Sequence, residues 1–384
     1  MRVLHVGKYY PPYQGGMENF LRDLLKALKG EGVSVSGLVH HHISGRSFSR
    51  EEDDGVPISR IPSCGQLLYL PLSPAFPRWL RQVIREFQPD LLHLHFPNPS
   101  ACWGLLIPEA RAIPWIVQWQ SDVVPSAIDH RLKPAYQLYR PLEQAVLKRT
   151  RRVIVASEPY LEYSDPLKRW ASKCRVIPLG IDPKRLSLPK ASLVKAADKH
   201  WRPGTLKVLA VGRLTYYKGF DVLIRAARQV PGISVQIVGD GALRSALQEQ
   251  IGGSGMEGRV VLRGSLSDQE LQALLATCDL FCLPSVERTE AFGIVLLEAM
   301  QYGKALVVSD IPGSGAGWVV RKGSCGFLTP PGDAGALANR FERLILQPDL
   351  CEKLGSKGRE SLERLFHIRS VARQIKEVYG ELAN

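Results

Sequence analysis

Two glutamates in the stretch "SVERTEAFGIVLLEAM", Glu290 and Glu298, carry the clearest chemistry in the sequence. The irregular "VERTE" gives way at Phe292 and Gly293 to the apolar run "IVLLEAM", so a helix is expected to begin near Gly293, with Glu290 in the loop before it and Glu298 inside it. A continuously apolar helix is buried, and a buried carboxylate needs hydrogen-bond donors. Hydroxyls of a bound sugar or ribose would serve. The unpaired backbone N–H groups at the helix start, around Gly293, Ile294 and Val295, form an anion site between the two acids. The alternative is that Glu298 pairs with a nearby Arg or Lys and Glu290 is a solvated loop residue.

"VGRLTYYKGFDVL" places Arg213 and Lys218 just beyond a strand and before a helix. Two cations there can clamp a diphosphate, although either alone is an ordinary surface charge. "PPYQGGMENF" sets Gly15 and Gly16 between strand and helix, where bare backbone can approach a ligand or simply turn. "VGDGALR" adds Gly239 and Gly241 at another such turn.

These positions require elements that alternate. "RVLHVG", "VSVSGLV", "DLLHLHF", "PWIVQWQ", "RRVIVAS" and "CRVIPLG" read as strands, and Met17, Phe20, Leu21, Leu24, Leu25 and Leu28 recur at helical spacing between the first two. The second half repeats the theme through "LKVLAVG", "ISVQIVG", "RVVLRG", "DLFCLPS" and "KALVVSD", with a helix opened by a capping box from Ser267 to Glu270 and three helices at the end. Such alternation implies parallel sheets with right-handed crossovers. The expected architecture is α/β, with two Rossmann-like doubly wound domains facing across a cleft. Their expected bounds are 1–182 and 204–365, with a linker over 183–203 and a C-terminal helix over 366–384 that packs back on the first domain.

A chain of 384 residues exceeds the usual limit for one core, which agrees with two domains. The net charge of +13 is spread over both halves, which argues against a nucleic-acid-binding arm and favours phosphates or an anionic membrane surface as partners. No segment reaches the length of a membrane span, and the apolar stretch at the N-terminus is too short for a signal peptide, so a cytoplasmic protein, at most peripheral on the membrane, is expected. The seven scattered cysteines read as reduced and mostly buried.

Other residues take plainer readings. His93 and His95 share one face of a strand, but no third ligand accompanies them in the sequence, so cleft lining or core packing outweighs metal binding. His40, His41 and His42 end a strand beside a polar loop, with acceptor contact open to them. The helix "RWLRQVIREF" reads as a core helix with a solvated basic face, in preference to a membrane-surface helix. "DHRLKPAYQLYRPLEQAVLKRTRR" is basic and aromatic, consistent with attachment to an anionic leaflet.

Taken together, the "GGMEN" loop, "VIPLGID", the Arg213 and Lys218 pair, "IVGDG" and Glu290 to Glu298 with "AFG" after the first acid resemble the family-four retaining glycosyltransferases of GT-B fold over essentially the whole chain. The resemblance implies that Arg213 and Lys218 hold the diphosphate of a nucleotide sugar, that Glu290 and the Phe292 and Gly293 backbone contact the transferred sugar, and that Glu298 binds the ribose. It implies no metal and no cofactor beyond the donor itself. "VQWQSDVV" departs from the family, which usually has histidine where this chain has Gln120. Glutamine offers a neutral donor and acceptor but no cation. Around "QSDVV" and "LYRPLEQAVLKRTRRVIVASEPYLE" the chain is similar to bacterial mannosyl- and rhamnosyltransferases of O-antigen assembly. This implies a GDP-sugar donor and a growing, lipid-linked glycan as acceptor. A binding module without turnover and a nucleotide-sugar epimerase are the competing functions.

Overall fold

The computed structural model describes residues 1–13, 15–67, 70–123, 132–186 and 188–383. The chain divides into two compact units, Met1–Ile181 with Ile368–Asn384, and Asp182–His367.

The first unit is built on strands β1 (Arg2–Val6), β2 (Ser34–His40), β3 (Ser49–Asp53), β4 (Val56–Ile61), the short hairpin of β5 (Gln66–Leu67) and β6 (Leu70–Pro71), β7 (Leu91–Phe96), β8 (Trp115–Trp119), β9 (Arg152–Val155) and β10 (Cys174–Val176). Its main sheet runs β10-β9-β8-β7-β1-β2-β4-β3. Every pairing in it is parallel except the outer β3 with β4. The central strands β7 and β8 are buried along their whole length, as parallel strands covered on both faces must be. β3 is largely exposed and charged, "SREED", which suits an edge. Its antiparallel pairing is a departure from the all-parallel expectation, produced by the tight turn at Asp54 and Gly55, both with positive φ.

Helices α1 (Gly16–Gly30), α2 (Phe76–Phe87), α3 (Pro108–Arg111), α4 (Leu132–Arg149) and α5 (Glu158–Tyr163) belong to this unit. In α1 the residues Phe20, Leu21, Leu24, Leu25 and Leu28 are buried at helical spacing, whereas Met17, expected on the same stripe, is exposed.

The second unit carries a six-stranded, wholly parallel sheet. Its strands are β11 (Leu206–Val211), β12 (Ile233–Val238), β13 (Val260–Gly264), β14 (Leu280–Leu283), β15 (Ala305–Ser309) and β16 (Gly326–Thr329), in the order β13-β12-β11-β14-β15-β16. Around it lie α6 (Ala191–Asp198), α7 (Phe220–Gln229), α8 (Arg244–Gly253), α9 (Asp268–Thr277), α10 (Ile294–Gln301), α11 (Gly315–Gly323), α12 (Ala334–Leu346) and α13 (Asp349–Ser361). The capping box opening α9 is complete: Ser267 caps the Glu270 backbone and the Glu270 carboxylate caps Ser267 in return. The stretch read as a linker contains α6, which packs on α9 and belongs to this second unit. Trp201, buried there with its indole N–H on Thr277, ties the segment down. A final helix, α14 (Ile368–Ala383), returns to the first unit and packs along α1.

Each doubly wound sheet reverses its strand order at one point. In the first unit the reversal falls at β1 and β7, and in the second at β11 and β14. Ligands of such sheets bind at the carboxyl ends of those strands.

Candidate active site

In the second unit the loops that leave β11 and β14 bring together residues far apart in sequence. After β11 the chain passes Gly212 and Arg213 and turns through Tyr216–Lys218 before α7 begins. After β14 it runs from Pro284 to Gly293 before α10 begins. The loops are joined by a backbone bond from the Val286 N–H to the Tyr217 carbonyl, 2.8 Å. Across them Lys218 Nζ donates to Glu290 Oε2 at 2.6 Å, and the Ser285 hydroxyl donates to the same oxygen at 3.1 Å. Burial acts to lower the Lys218 pKa, but the charge of Glu290, joined by Tyr217 and the Glu290 hydrogen bond, outweighs it and holds the ammonium above its ordinary value. Arg213 is exposed and close enough to Lys218 to act on its charge.

The loop is fixed from behind. The Ser314 hydroxyl donates to the Glu290 carbonyl and caps α11 by accepting from the Ala316 N–H, and the Gly315 N–H donates to the Ala291 carbonyl at 2.7 Å. Phe292 is buried beside Trp318 and Phe366, so what it can offer a ligand is its backbone. Gly293 turns the chain into α10 with φ 75°, a left-handed conformation, and no side chain caps the helix there. The first-turn N–H groups of Ile294 and Val295 therefore have no side-chain cap at this helix start.

Glu290 is therefore neither solvated nor unpaired: it is buried on Lys218. Glu298 lies on the half-buried stripe of α10 with Ile294 and Val295, and the helix is not buried all round. Its Oε1 accepts from Arg185 Nη2 at 3.1 Å, with both side chains about 15% exposed (15% and 14%). The alternative reading of Glu298, as one partner of an ion pair, thus describes its state in this structure. Arg185, Ser285 and Ser314 escaped the sequence reading, because each meets the site only through the fold: Arg185 and Ser314 lie in no motif, and Ser285 merely opens the stretch that carries Glu290. Gly239 serves close packing: a side chain there would place its Cβ 2.0 Å from the Gly212 carbonyl oxygen, at the start of the Arg213 loop.

In the first unit Gly15 stands in extended backbone before α1, and Gly16 begins the helix. The space a Cβ would fill at Gly15 holds the carboxylate of Glu18, 2.1 Å from that point. An acid in the first turn suits the positive helix end, so the space beside the glycine is taken by an internal partner. Gln120 follows β8, 8% exposed, its N–H donating to the Phe96 carbonyl at 3.0 Å. Nearby, Asp122 Oδ1 accepts from the Trp119 indole at 2.8 Å and the Ser164 hydroxyl at 2.7 Å. His93 and His95 do have a third imidazole beside them, His5 of β1, a correction that only strand pairing could supply. His40 is buried, with its ring nitrogens on the Lys8 carbonyl and the Ser100 hydroxyl, and so is part of the interior and not of a polar loop.

Residues 15–180 match the family described as "Glycosyl transferase 4-like domain", and residues 195–361 match "Glycosyl transferases group 1". The chain belongs to the group 1 glycosyltransferases. Among relatives of this glycosyltransferase, the O-antigen chain mannosyltransferase C of Escherichia coli is 29% identical over 378 residues, 95% of this chain and 94% of that protein. The D-rhamnosyltransferase WbpZ of Pseudomonas aeruginosa is 29% identical over 377 residues, 95% of this chain and 92% of that one. The fold is GT-B: the sucrose-phosphate synthase structure of Thermosynechococcus elongatus superposes with a TM-score of 0.82 at 25% identity, covering 99% of this chain and 98% of that one. No helix among the described residues is long and apolar enough to cross a membrane.

Proposed function

We propose that this glycosyltransferase moves a hexose, with retention at the anomeric carbon and without a metal ion, from a nucleotide diphosphate sugar to a growing, lipid-linked glycan of a bacterial surface polysaccharide. The observation that carries the reading is the Lys218 and Glu290 pair set directly before the uncapped start of α10. A diphosphate needs positive charge, and in this reading Lys218, Arg213 and the Ile294 and Val295 N–H groups supply it without a divalent cation. Glu290, held by Ser285 and Lys218, accepts from a hydroxyl of the transferred sugar, and Glu298 accepts from the ribose. The leaving diphosphate takes the acceptor proton on the same face of the sugar, so no side-chain base is required. Gln120, in the first unit, offers a sugar hydroxyl a neutral polar contact.

GDP-mannose or a GDP-rhamnose is the preferred donor, because mannosyl and rhamnosyl transfer name two of the relatives matched over most of their length. The net charge of +13 supports work at the anionic inner face of the cytoplasmic membrane. Residues 132–149 of the basic, aromatic stretch form α4, while 124–131 lie outside the described residues.

A thermal-shift screen of GDP-, UDP- and ADP-sugars, followed by transfer to lipid-linked oligosaccharide in chelator and an NMR assignment of the product's anomeric configuration, tests the proposal. An inverted product, or turnover that needs a divalent metal, would refute the mechanism. A protein that binds donor yet neither transfers nor hydrolyses it would be a binding module.

A further inference from the structure

Three imidazoles meet inside the first sheet. His93 and His95 point to the same side of β7, and the pairing of β1 with β7 sets His5 opposite His93. All three are buried, with facing nitrogens within 4.8 Å of one another. The set includes no carboxylate among the described residues, so its three donors are all imidazoles. Its nitrogens are joined in a line. Gln120 Nε2 lies 3.5 Å from His95 Nδ1, His95 Nε2 lies 3.0 Å from His5 Nδ1, His5 Nε2 lies 3.3 Å from the Tyr379 hydroxyl of α14, and that hydroxyl lies 2.6 Å from His93 Nδ1.

A neutral imidazole has one donor and one acceptor nitrogen, so a direction fixed at one link is fixed along the whole line. Tyr379 fixes it. O–H donors make shorter bonds than N–H donors, so the single hydroxyl proton belongs to the 2.6 Å contact with His93 Nδ1. The 3.3 Å contact is then donated by the His5 Nε2–H. His5 Nδ1 is left bare and accepts from the His95 Nε2–H, and His95 Nδ1 is left bare and accepts from the Gln120 amide. Burial holds all three rings neutral, as this pattern requires. At the far end the buried Gln118 amide acts on the His93 ring, although His93 Nε2 and both Gln118 amide atoms fall short of hydrogen-bond geometry.

We infer that this line sets the orientation of Gln120: its amide nitrogen is held inward by His95, and its carbonyl oxygen Oε1 is presented to accept a hydrogen bond from a sugar hydroxyl of the substrate. Oε1 takes no hydrogen bond among the described residues and is not one of the atoms sealed from solvent. A phosphate oxygen, which only accepts, gains nothing from it. Gln120 is thereby a specificity residue for a hydroxyl, and Tyr379, His5 and His95 are positioning residues that act through it. The orientation is independent of the proposed function. The identity of the hydroxyl rests on that reading.

Nitrogen-15 spectra of the full chain with labelled histidines, assigned by single His→Gln variants and recorded near neutral pH without substrate, read the tautomers directly. His5, His93 and His95 are expected to be neutral and protonated at Nε2, and a proton on Nδ1 of any of them in the wild type overturns the line. In Gln120→Glu the carboxylate only accepts, so His95 Nδ1 is expected to gain a proton; an unchanged His95 spectrum overturns the coupling to Gln120. Tyr379→Phe should lower turnover about fivefold, the scale of one lost hydrogen bond, with nucleoside diphosphate affinity unchanged. Unchanged turnover in that variant removes the positioning role even if transfer itself is established, whereas the tautomer result stands or falls without any turnover. Zinc binding at one ion per chain, lost in His93→Gln, would make the cluster a metal site and overturn the inference.

Discussion

Lys218 and Glu290 form a buried ion pair with Nζ 2.6 Å from Oε2, their side chains only 11% and 10% exposed. The two residues leave the carboxyl ends of adjacent strands, β11 and β14, at the point where the sheet reverses its strand order. The pair solves a problem for the ligand-free protein. A lone ammonium or carboxylate at that depth would be costly, and each neutralises the other.

Lys218→Ala and Arg213→Ala are therefore expected to differ in kind. Each should weaken nucleoside diphosphate binding by about 1.5–3 kcal/mol, the scale of a charge-assisted hydrogen bond. Lys218→Ala should also destabilise the fold by roughly 3–5 kcal/mol, because it strands Glu290 in the interior, whereas exposed Arg213 should cost little. Calorimetric titration and urea unfolding of both variants check this. Equal stabilities would show that Glu290 does not depend on Lys218.

On the proposed roles, Glu290→Gln should mainly lower turnover and Glu298→Gln should mainly weaken nucleotide binding. Arg185→Ala should behave like Glu298→Gln, because Arg185 holds the Glu298 carboxylate at 3.1 Å. Steady-state kinetics together with nucleotide titration separate the three. Normal nucleotide affinity in both Glu298→Gln and Arg185→Ala would remove the ribose assignment.

The element order was legible because strand and helix periods are local properties. The start of α10 at Gly293 and the capping box at Ser267 were readable for the same reason. Partnerships were not, because they depend on which strands become neighbours. Nothing near Lys218 in the sequence names Glu290 as its partner, and nothing near His93 names His5. Arg185 sits in a stretch that reads as a linker, and its role appears only once the fold brings it to α10. The reading of α10 as wholly buried went too far, since an apolar run does not reveal that Ile294, Val295 and Glu298 share a half-buried stripe.

Gly293→Ala tests the anion site at the start of α10. A Cβ at φ 75° is strained and would sit 3.0 Å from Leu283 Cδ2 and 3.1 Å from Leu296 Cδ1. The left-handed backbone alone costs roughly 1–2 kcal/mol for alanine. Stability should fall by at least that amount, and nucleotide diphosphate affinity should fall with it, because relieving the strain moves the Ile294 and Val295 N–H groups. A variant less stable but of unchanged affinity would place the phosphates elsewhere.

The pH dependence of stability should have two opposed components in the first unit. His40 is pushed down to about 4 and His95 to about 3 by burial, and His5 and His93 are also held well below their ordinary value of 6.5. Below pH 6.5 the unfolded chain binds protons at these rings that the folded chain refuses, so their contribution is whole above 6.5 and is lost as the pH falls towards the folded values. Glu143 acts the other way. Burial raises its pKa to about 7, and its Oε1 has no hydrogen-bond partner among the described residues. The folded form keeps a proton there that the unfolded form releases above about 4.5, so stability drains as pH rises from 4.5 to 7. Glu143→Gln, which copies the protonated acid, should stabilise the protein at mildly alkaline pH by up to about 3 kcal/mol, a gain that shrinks to nothing as the unfolded-state pKa is approached. It should leave the acid-side loss from the histidines in place. Urea midpoints of wild type and variant across this range decide the matter: a gain that does not vary with pH would mean that Glu143 is not the group that titrates.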